Sequence, residues 1–450
     1  MDDKKNRRSG MSGHEKFNFK NKDEFLAKGS SLGAGIPFSD DIGALFEPLT
    51  VAGKRLPNRL AIQPMEGADA GPGGAPGELT FRRYQRFAAS GCGLIWFEAA
   101  AVTENGKSNP SQLLLARNTL DGFRRLVEKT RNTARKSLGP NYSPVLILQL
   151  THSGRFSKPQ GAPAPIIAQP NPYLDPRPKL PLDFPLISDQ ELDDLQEVYA
   201  EAARMALETG FDGVDIKACH GYLVSELLAA REREGSPYGG SYQNRARFIL
   251  ETAQKIRVRV PEIIIASRLG VYDAISYPYG FGVDRNDPLR HDLSEPKAIV
   301  RRLKDIGLDL LNITIGIPAS KPHYGRPFDK PVSGAAMPDE HPLTGIARLL
   351  QIAAEMQQEF PALPVVGTGY SWLRQFFPQV GAGVIKSGGS SLIGIGRLAL
   401  AYPDFARDLM DNGALNPKKV CLTCSGCSEL LRAGQPAGCV VRDKRVYQNR

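Results

Sequence analysis

Residues 188–217 read SDQELDDLQEVYAEAARMALETGFDGVDIK, which is one helix followed by one strand. Ser188 and Glu191 have the spacing of a capping box, in which the serine accepts from the third helical amide and the glutamate reaches back. Apolar residues then recur at helical spacing as far as Gly210. The short apolar run GVDIK (213–217) follows as a strand. This stretch predicts one helix–strand unit, and the rest of the fold repeats that unit.

The same alternation of strand and helix repeats along the chain from residue 42. The other predicted strands are RLAIQP (59–64), GLIWFE (93–98), VLILQL (145–150), IIIASR (263–268), DLLNIT (309–314), PVVG (364–367) and SLIGI (391–395). Strands that are apolar throughout and separated by helices indicate a parallel sheet covered on both faces. Eight such units predict an α/β fold of the (β/α)8 or TIM barrel type. No strand is followed by an intact G-x-G-x-x-G, which argues against a Rossmann unit.

The composition divides the chain into three parts. Residues 1–40 are rich in Lys, Asn, Gly and Ser and are predicted to be a disordered basic tail. Residues 41–412 form the barrel, and residues 413–450 form a short extension that contains four of the six cysteines. Of the remaining two, Cys92 precedes a predicted strand and is interpreted as a small buried residue, whereas Cys219 lies at the mouth of the barrel after the strand GVDIK.

The formal net charge of +9 belongs mainly to the two ends of the chain. Residues 1–30 carry a net +3 and residues 417–450 a net +5, so the body is nearly neutral. A neutral body argues against a nucleic-acid partner, which requires a basic face on the folded domain. No apolar run approaches the ~20 residues of a membrane helix, and the N-terminus lacks the apolar core of a secretory signal. We therefore expect a cytoplasmic protein without a nucleic-acid or membrane partner, and an oligomer is compatible with the sequence.

Polar residues and glycines concentrate where the predicted strands end, which is the face of a barrel that carries chemistry. The polar residues are Gln149, Lys217, His220, Tyr222 and Arg268. Five such side chains at neighbouring strand ends predict a functional site. Gly369 and Gly396 follow the last two strands, and Arg397 adds a positive charge beside them. Glycines at these two ends are typical of a phosphate-binding site in this fold.

Five motifs follow one another along residues 42–408. They are PNRLAIQPM (57–65), LILQLTHSGR (146–155), GFDGVDIKACHGYLVSELL (210–228), YGGSYQNRARF (238–248) and IGIGRLALAYPD (393–404). In these motifs the chain resembles the Old Yellow Enzyme family of FMN-dependent oxidoreductases, which are (β/α)8 barrels.

This resemblance implies a non-covalent FMN site within residues 41–412. Pro64, Met65 and Ala99 would line the flavin rings, Gln149 would bond the pyrimidine edge, and Arg268 would lie by N1 and the C2 carbonyl. The phosphate would be held by Gly369, Gly396 and Arg397. In the trimethylamine dehydrogenase type the flavin is attached to a Cys after the first strand. Glu66 stands there in this chain, so we expect no covalent bond.

The resemblance also implies a reaction. His220, with Lys217, would hold the carbonyl oxygen of a substrate with an activated C=C bond, and hydride would pass from the flavin to the β-carbon. Tyr222 would donate the proton to the α-carbon, because a phenol is protonated at neutral pH. NAD(P)H is a possible reductant. The alternatives are a dehydrogenase of an amine or other small substrate, and an electron-transfer subunit that contains FMN and an iron–sulfur cluster.

Two residues depart from the family pattern. Lys217 stands where many alkene-reducing relatives have His, and Glu66 stands where the family usually has a small hydroxyl residue. A carboxylate near the flavin would repel the electron-rich reduced ring. We hypothesise that Lys217 or another cation compensates Glu66; the alternative is that Glu66 makes a structural hydrogen bond.

The extension contains the pattern C-x2-C-x2-C-x11-C, formed by Cys421, Cys424, Cys427 and Cys439. Three close cysteines and one distant one favour a 4Fe–4S cluster over zinc, which usually takes two separate C-x2-C pairs, although a site without metal stays open. The pattern is similar to the segment after the barrel in the trimethylamine dehydrogenase and 2,4-dienoyl-CoA reductase branch.

In that branch FAD- or NAD(P)H-binding parts follow the cluster. Because eleven residues follow Cys439, we expect no such part here. Electrons would then come directly from a nicotinamide, or through the cluster from a separate reductase or an acidic carrier such as a ferredoxin or flavodoxin. The basic side chains around the cysteines would offset the charge of a cluster or provide the docking patch for such a carrier.

Overall fold

Eight parallel strands close into a barrel in the computed structural model of this protein, which describes residues 13–176, 179–181 and 183–448. An antiparallel hairpin, β1 (Leu49–Val51) and β2 (Lys54–Leu56), precedes it. The barrel strands are β3 (Leu60–Ile62), β4 (Leu94–Ala101), β5 (Val145–Thr151), β6 (Gly213–Ile216), β7 (Ile264–Gly270), β8 (Leu310–Thr314), β9 (Val365–Gly367) and β10 (Leu392–Ile395). They neighbour one another in chain order, and β10 closes on β3. Each overlaps one predicted strand, so the predicted fold class is confirmed.

Helices cover the outside of the barrel, and a few further helices lie in the two ends of the chain. In chain order they are α1 (Lys22–Ser31), α2 (Glu78–Ala88), α3 (Leu120–Leu138), α4 (Asp189–Glu208), α5 (Leu223–Leu228), α6 (Tyr242–Arg259), α7 (Ser294–Ile306), α8 (Pro322–Gly325), α9 (Pro342–Glu359), α10 (Phe377–Lys386), α11 (Arg397–Ala401), α12 (Phe405–Asn412), α13 (Gly426–Arg432) and α14 (Lys444–Tyr447). None of the helices in these described ranges is both long and apolar enough to cross a membrane.

Helix α4 begins where the capping box predicted. The Ser188 hydroxyl accepts from the amide of Glu191 at 3.2 Å, and the Glu191 carboxylate accepts from the amide of Ser188 at 2.8 Å. The helix buries Leu192 and Tyr199 against the barrel. It ends before Gly210, whose φ of +93° suits glycine.

Alternate side chains of the strands build two separate cores. Leu94 and Trp96 of β4 point into the barrel, where they pack with Val51 and Leu56 of the hairpin. Phe97, on the other face, packs in the layer between strands and helices. Full burial of such a side chain contributes about 1.5–3 kcal/mol. Since the hairpin packs against the start of the strands, their carboxyl ends are left for chemistry.

Residues 13–40 differ from the predicted disordered tail, whereas residues 1–12 lie outside the described residues. The ring of Phe17 packs 5.3 Å from that of Trp372, and Phe25 packs 5.1 Å from Phe376. The amide of Phe17 also donates to Asp329 at 3.1 Å. A few aromatic side chains bury enough area to order a segment that is otherwise polar, so its average composition misled the prediction.

The C-terminal extension is tied to the barrel by charge and by backbone. Asp443 accepts from Arg82 at 2.7 Å and from Arg86 at 2.6 Å, both on α2. The amide of Ala437 donates to the carbonyl of Gly67, in the loop after β3, at 2.7 Å. The cysteine-containing segment is therefore held beside the first barrel loop.

Candidate active site

The residues predicted to form the site lie at or after the carboxyl ends of the strands. Because all eight strands are parallel, these ends meet at one mouth of the barrel. Pro64 and Met65 follow β3, Ala99 lies in β4, Gln149 in β5, Lys217, His220 and Tyr222 follow β6, Arg268 lies in β7, Gly369 follows β9, and Gly396 and Arg397 follow β10. The fold thus brings the whole predicted set to one end.

A buried carboxylate that the sequence reasoning missed organises part of this mouth. Asp215 accepts from the indole of Trp96 at 2.9 Å, the amide side chain of Gln149 at 2.6 Å and the backbone N–H of Arg268 at 2.6 Å. Burial raises the pKa of Asp215 to about 6. Asp215 therefore sets the orientation of Gln149 and the position of Arg268. Its signal in the sequence was the single acidic residue in GVDIK, since an acid inside a buried strand needs partners.

Arg268 reaches across the barrel mouth. Its Nη1 donates to the carbonyl of Pro64 at 3.4 Å, which joins β7 to the loop after β3. Its Nε is buried and has no hydrogen-bond partner within the described part of the chain. Because a buried guanidinium N–H left unbonded is costly, this donor is suited to a bound acceptor.

Lys217, His220 and Tyr222 form one group after β6. The Lys217 ammonium lies 3.5 Å from the centre of the Tyr222 ring, which is a close cation–π contact. Burial lowers the pKa of Lys217 to about 8 and raises the pKa of Tyr222 well above its ordinary value. The imidazole Nε2 of His220 lies 3.4 Å from the Thr314 hydroxyl, and burial holds its pKa well below the usual range. At neutral pH the group therefore contains a neutral imidazole, a protonated phenol and an ammonium.

The turn between His220 and Tyr222 has a left-handed backbone. φ is +67° at His220 and +74° at Gly221. A Cβ at Gly221 would lie 3.2 Å from both Ile317 and Phe156, which pack over the turn. Glycine at 221 therefore allows the turn that brings Tyr222 back over Lys217.

Glu66 lies in the same mouth and has partners that the sequence did not predict. Its Oε1 accepts from the hydroxyl of Ser108 and from Nδ2 of Asn109 at 2.5 Å, both in the loop after β4. Burial raises the pKa of Glu66, and the nearby charge of Lys217 opposes this shift. The surroundings of Glu66 are therefore consistent with both hypotheses from the sequence, a structural hydrogen bond and compensation of its charge by Lys217.

The phosphate end of the predicted flavin site offers unbonded polar groups. The Thr368 hydroxyl and Nη1 of Arg397 are buried without a hydrogen-bond partner among the described residues. Gly369 has a φ of +102°, and a Cβ at Gly396 would face the sulfur of Met65 at 3.6 Å. Unpaired donors beside backbone without side chains suit a phosphate group. The residues present therefore fit FMN.

The four cysteines of the extension line one pocket, together with Arg397, Leu400, Leu422, Thr423, Ser425, Val440, Val441 and Arg442. No three His, Cys, Asp or Glu side chains of the described ranges converge as ligands of a single metal ion would.

Arg397 belongs to two neighbouring regions. It lines the cysteine pocket, and its Nη2 donates to the carbonyl of Pro327 at 2.6 Å. It also directly follows Gly396, at the predicted phosphate end of the barrel. The cysteine pocket and the barrel mouth thus share a wall. Of the two other cysteines, Cys92 is buried as predicted, and Cys219 is buried as well.

Comparison with known proteins agrees with this geometry. Residues 44–289 match the model of the NADH:flavin oxidoreductase / NADH oxidase family. An NADH oxidase from Thermoanaerobacter brockii is 25% identical over 400 residues, which are 85% of this chain and 53% of that protein. The chain therefore spans about half the length of that relative.

Two further proteins also match more than four fifths of this chain. The NADH-dependent flavin oxidoreductase iliE from Hypocrea jecorina is 26% identical over 386 residues, which are 81% of this chain and 88% of that protein. The solved structure of a 2-naphthoyl-CoA reductase complex has a TM-score of 0.71 at 19% identity, covers 91% of this chain and is itself covered to 58%, which supports the fold. The chain belongs to the NADH:flavin oxidoreductase / NADH oxidase family, the family of the Old Yellow Enzymes that its motifs resemble.

Proposed function

We propose that this protein is an FMN-dependent oxidoreductase that reduces the activated C=C bond of an unsaturated carbonyl compound at the expense of NAD(P)H. The observation that carries the proposal is the grouping of Lys217, His220 and Tyr222 at the barrel mouth, within electrostatic reach of Arg268. This group combines donors for a carbonyl oxygen with a proton donor. The family membership supports the reaction class.

FMN would be held non-covalently by the residues predicted for it, namely Pro64, Met65, Ala99, Gln149, Arg268, Gly369, Gly396 and Arg397. Bound FMN supplies a ring that takes up a hydride from NAD(P)H and releases it to a substrate carbon. Arg268 places a permanent positive charge at the barrel mouth, and such a charge stabilises an anion that develops beside it.

The chain's own residues would perform the polar part of the reaction. His220, as a neutral imidazole, donates a hydrogen bond to the substrate carbonyl oxygen, and the Lys217 ammonium adds a positive charge there. Together they draw electron density from the adjacent C=C bond. Tyr222 then donates its phenolic proton to the α-carbon, which its raised pKa permits because the phenol stays protonated at neutral pH.

The test uses anaerobically purified full-length protein. A flavin spectrum is expected first, followed by bleaching on stopped-flow mixing with NADH or NADPH and return of colour with an unsaturated ketone, aldehyde or thioester. Tyr222→Phe should slow the return at least about 100-fold, as expected for loss of a general acid, and slow the bleaching far less. Protein that does not bind added FMN, or equal rates in wild type and Tyr222→Phe, would refute the proposal.

We further propose that Cys421, Cys424, Cys427 and Cys439 hold a 4Fe–4S cluster. Such a cluster supplies one-electron transfer when bound. Its place beside Arg397 supports a route for electrons between the barrel mouth and the surface. An acidic carrier, such as a ferredoxin or flavodoxin, or a separate reductase would then exchange electrons at the extension.

Metal analysis separates the possibilities for the cysteines. Wild type is expected to contain about four iron atoms per chain with matching sulfide, and Cys427→Ser should lose them while it retains FMN. Cys92→Ala, which removes a buried thiol elsewhere in the barrel, is the matched control. One zinc per chain, or iron that survives Cys427→Ser, would overturn the assignment.

The same cysteine pocket favours one second function, a dehydrogenase that oxidises an amine or another small substrate and exports electrons through the cluster. In that case the substrate, rather than NAD(P)H, bleaches the flavin under anaerobic conditions. Mixing oxidised protein with amines in the absence of nicotinamide distinguishes the two directions.

A further inference from the structure

The loop between α8 and α9 is bonded to the cysteine-containing part of the extension. The backbone N–H of Asp329 donates to both the carbonyl and the hydroxyl of Thr423, each at 3.2 Å. The carbonyl of Lys330 accepts from the hydroxyl of Ser425 at 2.6 Å. Thr423 and Ser425 stand on either side of Cys424. These bonds therefore fix the backbone on both sides of one of the predicted cluster ligands.

The carboxylate of Asp329 is bonded to two other parts of the chain. Its Oδ1 accepts from the amide of Phe17 at 3.1 Å and from the indole N–H of Trp372 at 2.7 Å. Its Oδ2 accepts from the guanidinium of Arg374 at 2.5 Å. The side chain is buried, and a buried carboxylate with several donors, one of them charged, is held firmly. Asp329 thus joins the N-terminal segment (residues 13–40) and the turn after β9 to Thr423.

The cysteine loop, defined as residues 421–427, has a backbone shape that its own residue types do not favour. φ is +47° at Thr423 and +61° at Ser425, which places two residues other than glycine in the left-handed region. A β-branched residue such as threonine rarely adopts this region unless its surroundings impose it. Both residues are bonded to the loop between α8 and α9. That loop is therefore the outside support which the shape requires.

The same shape sets the surroundings of the cysteine sulfurs. The sulfur of Cys421 accepts from the amide of Thr423, and the sulfur of Cys439 accepts from the amide of Arg442, both at 3.3 Å. Bonds from N–H groups to the sulfurs tune an iron–sulfur cluster, so these donors suit thiolate ligands. Because the residue that donates to Cys421 is also the residue that Asp329 binds, a shift of Thr423 would change the bond to the sulfur.

We propose that Asp329 is a positioning residue for the iron–sulfur site, which holds Thr423, and through it the cysteine loop, in the shape that receives the cluster. The inference rests on the proposed function, because it assumes that the four cysteines bind a 4Fe–4S cluster. It goes beyond that function by giving the N-terminal segment a role in cofactor retention. The segment acts through the bond from Phe17 to Asp329.

The first experiment measures hydrogen exchange in full-length protein that contains FMN but no iron. Asp329→Ala removes the carboxylate and keeps the backbone N–H that donates to Thr423. Protection of this N–H, relative to the free peptide, should fall about tenfold or more, because the contact opens more easily. Asp309→Ala is the matched control. Asp309 accepts from the guanidinium of Arg257 at 2.8 Å and from the amide of Ile265 at 2.9 Å, at the start of β8, so protection at residue 329 should not change.

The second experiment follows the transfer of iron from the reconstituted protein to an excess of chelator. Asp329→Ala should lose iron about tenfold faster than the wild type, the size of effect found when a residue that orients metal ligands is removed, and should retain FMN. The electron paramagnetic resonance spectrum of its reduced cluster should also differ, since the bond to Cys421 changes. Asp309→Ala should match the wild type in both measurements.

A second variant keeps the test valid if Asp329→Ala does not fold. Trp372→Phe removes the indole donor to Asp329 and retains an aromatic ring. It should lower the protection at residue 329 and speed iron loss in the same direction, by a smaller factor, because two donors to the carboxylate remain.

The outcomes separate this inference from the proposed cluster. If the wild type takes up no iron and sulfide, the cluster assignment fails and the inference falls with it. If the wild type binds the cluster and Asp329→Ala releases iron at the wild-type rate, the role of Asp329 is wrong and the cluster assignment stands. Equal iron loss from Asp329→Ala and Asp309→Ala would show a general loss of stability and would also overturn the inference.

Discussion

The ammonium nitrogen of Lys217 lies 3.5 Å from the centre of the Tyr222 ring, inside the mouth of the barrel. Burial brings the pKa of Lys217 down to about 8, so a cation is held against the residue proposed to donate the proton. Because of this contact, the positive charge of Lys217 should favour loss of the phenolic proton of Tyr222. Lys217 stands where many alkene-reducing relatives have His, and here it supplies a cation beside the Tyr222 ring.

Replacement of this cation should impair substrate reduction. Lys217→Met is expected to lower kcat for an unsaturated carbonyl substrate by about 10²-fold, the size of effect found when one donor to a developing oxyanion is lost. Lys129→Met, which removes a surface cation–π contact 4.9 Å from the Phe81 ring, is the control. Steady-state kinetics at pH 7 measure both, and equal values for the two variants would contradict the role.

The pH profile provides a second check on Lys217. Because its pKa is lowered to about 8, the wild type should lose activity as the pH rises through 8 and the ammonium gives up its proton. Lys217→Met has no such group, so its smaller activity should be flat across the same range. A wild-type profile that stays level to pH 9 would show that the ammonium is not used.

Glu66 should depress the reduction potential of the flavin. Glu66→Gln removes a negative charge and is expected to raise the potential, because a nearby carboxylate disfavours the negative charge that reduction adds to the flavin. The difference should grow with pH as Glu66 ionises in the wild type. Spectroelectrochemical titration measures it, with the exposed Glu104→Gln as control. A potential that Glu66→Gln leaves unchanged would exclude an electrostatic role.

Ionisation of Asp273 should lower the free energy of unfolding of the barrel as the pH rises from about 4 to 7. Burial raises its pKa from 3.8 to about 7, so the folded protein binds more protons than the unfolded chain between these values. The free energy of unfolding therefore falls as pH rises from about 4 to 7. Asp273→Asn stays neutral and can still accept from the amide of Phe281, a bond of 3.0 Å in the wild type.

Urea unfolding at pH 5 and pH 8 tests this prediction. Asp273→Asn should be more stable than the wild type at pH 8 by about 1–4 kcal/mol, on the scale of 1.36 kcal/mol per pKa unit, and gain less at pH 5. Asp284→Asn is the opposite control, because hydrogen bonds from the amides of Asn286 and Asp287 lower the pKa of Asp284. It should lose stability about equally at both pH values. If Asp273→Asn changes the free energy of unfolding by the same amount at pH 5 and at pH 8, the proposed ionisation of Asp273 is refuted.

The basic extension should attract an acidic electron carrier. Lys444 and Arg445 are exposed on α14, a few residues after Cys439. Charge reversal of both is expected to lower the rate of electron exchange with a ferredoxin or flavodoxin about tenfold at low ionic strength, because steering of opposite charges speeds encounter. Lys304→Glu, on α7, is the control. Exchange that does not respond to salt would rule out docking at this patch.

Much of the fold could be predicted from local sequence patterns. The capping box before α4 and the eight apolar runs each depend on residues close together in sequence, and all eight runs became barrel strands. The positions of Gln149, Lys217 and Arg268 followed, because parallel strands bring their carboxyl ends to one mouth. Residues 13–40 were the exception, since a composition average did not register that Phe17 and Phe25 pack on the barrel.

The interactions within the site were harder to predict from the sequence. Asp215 is one residue of an apolar strand, and nothing local indicates that it accepts from Trp96, Gln149 and Arg268 on three other strands. Ser108 and Asn109 lie in a loop without a motif. Their contact with Glu66 depends on how that loop folds back over the barrel mouth.

By itself, the sequence determined the number and order of the barrel strands, the end at which polar groups gather and the grouping of four cysteines in one extension. These follow from periodicity, capping and spacing, which act over a few residues. Only the tertiary structure decided that Asp215 orients Gln149, that Ser108 and Asn109 bond Glu66 and that Arg397 lines the cysteine pocket. Such contacts join residues from distant parts of the chain, and their geometry exists only when strands and loops are packed together.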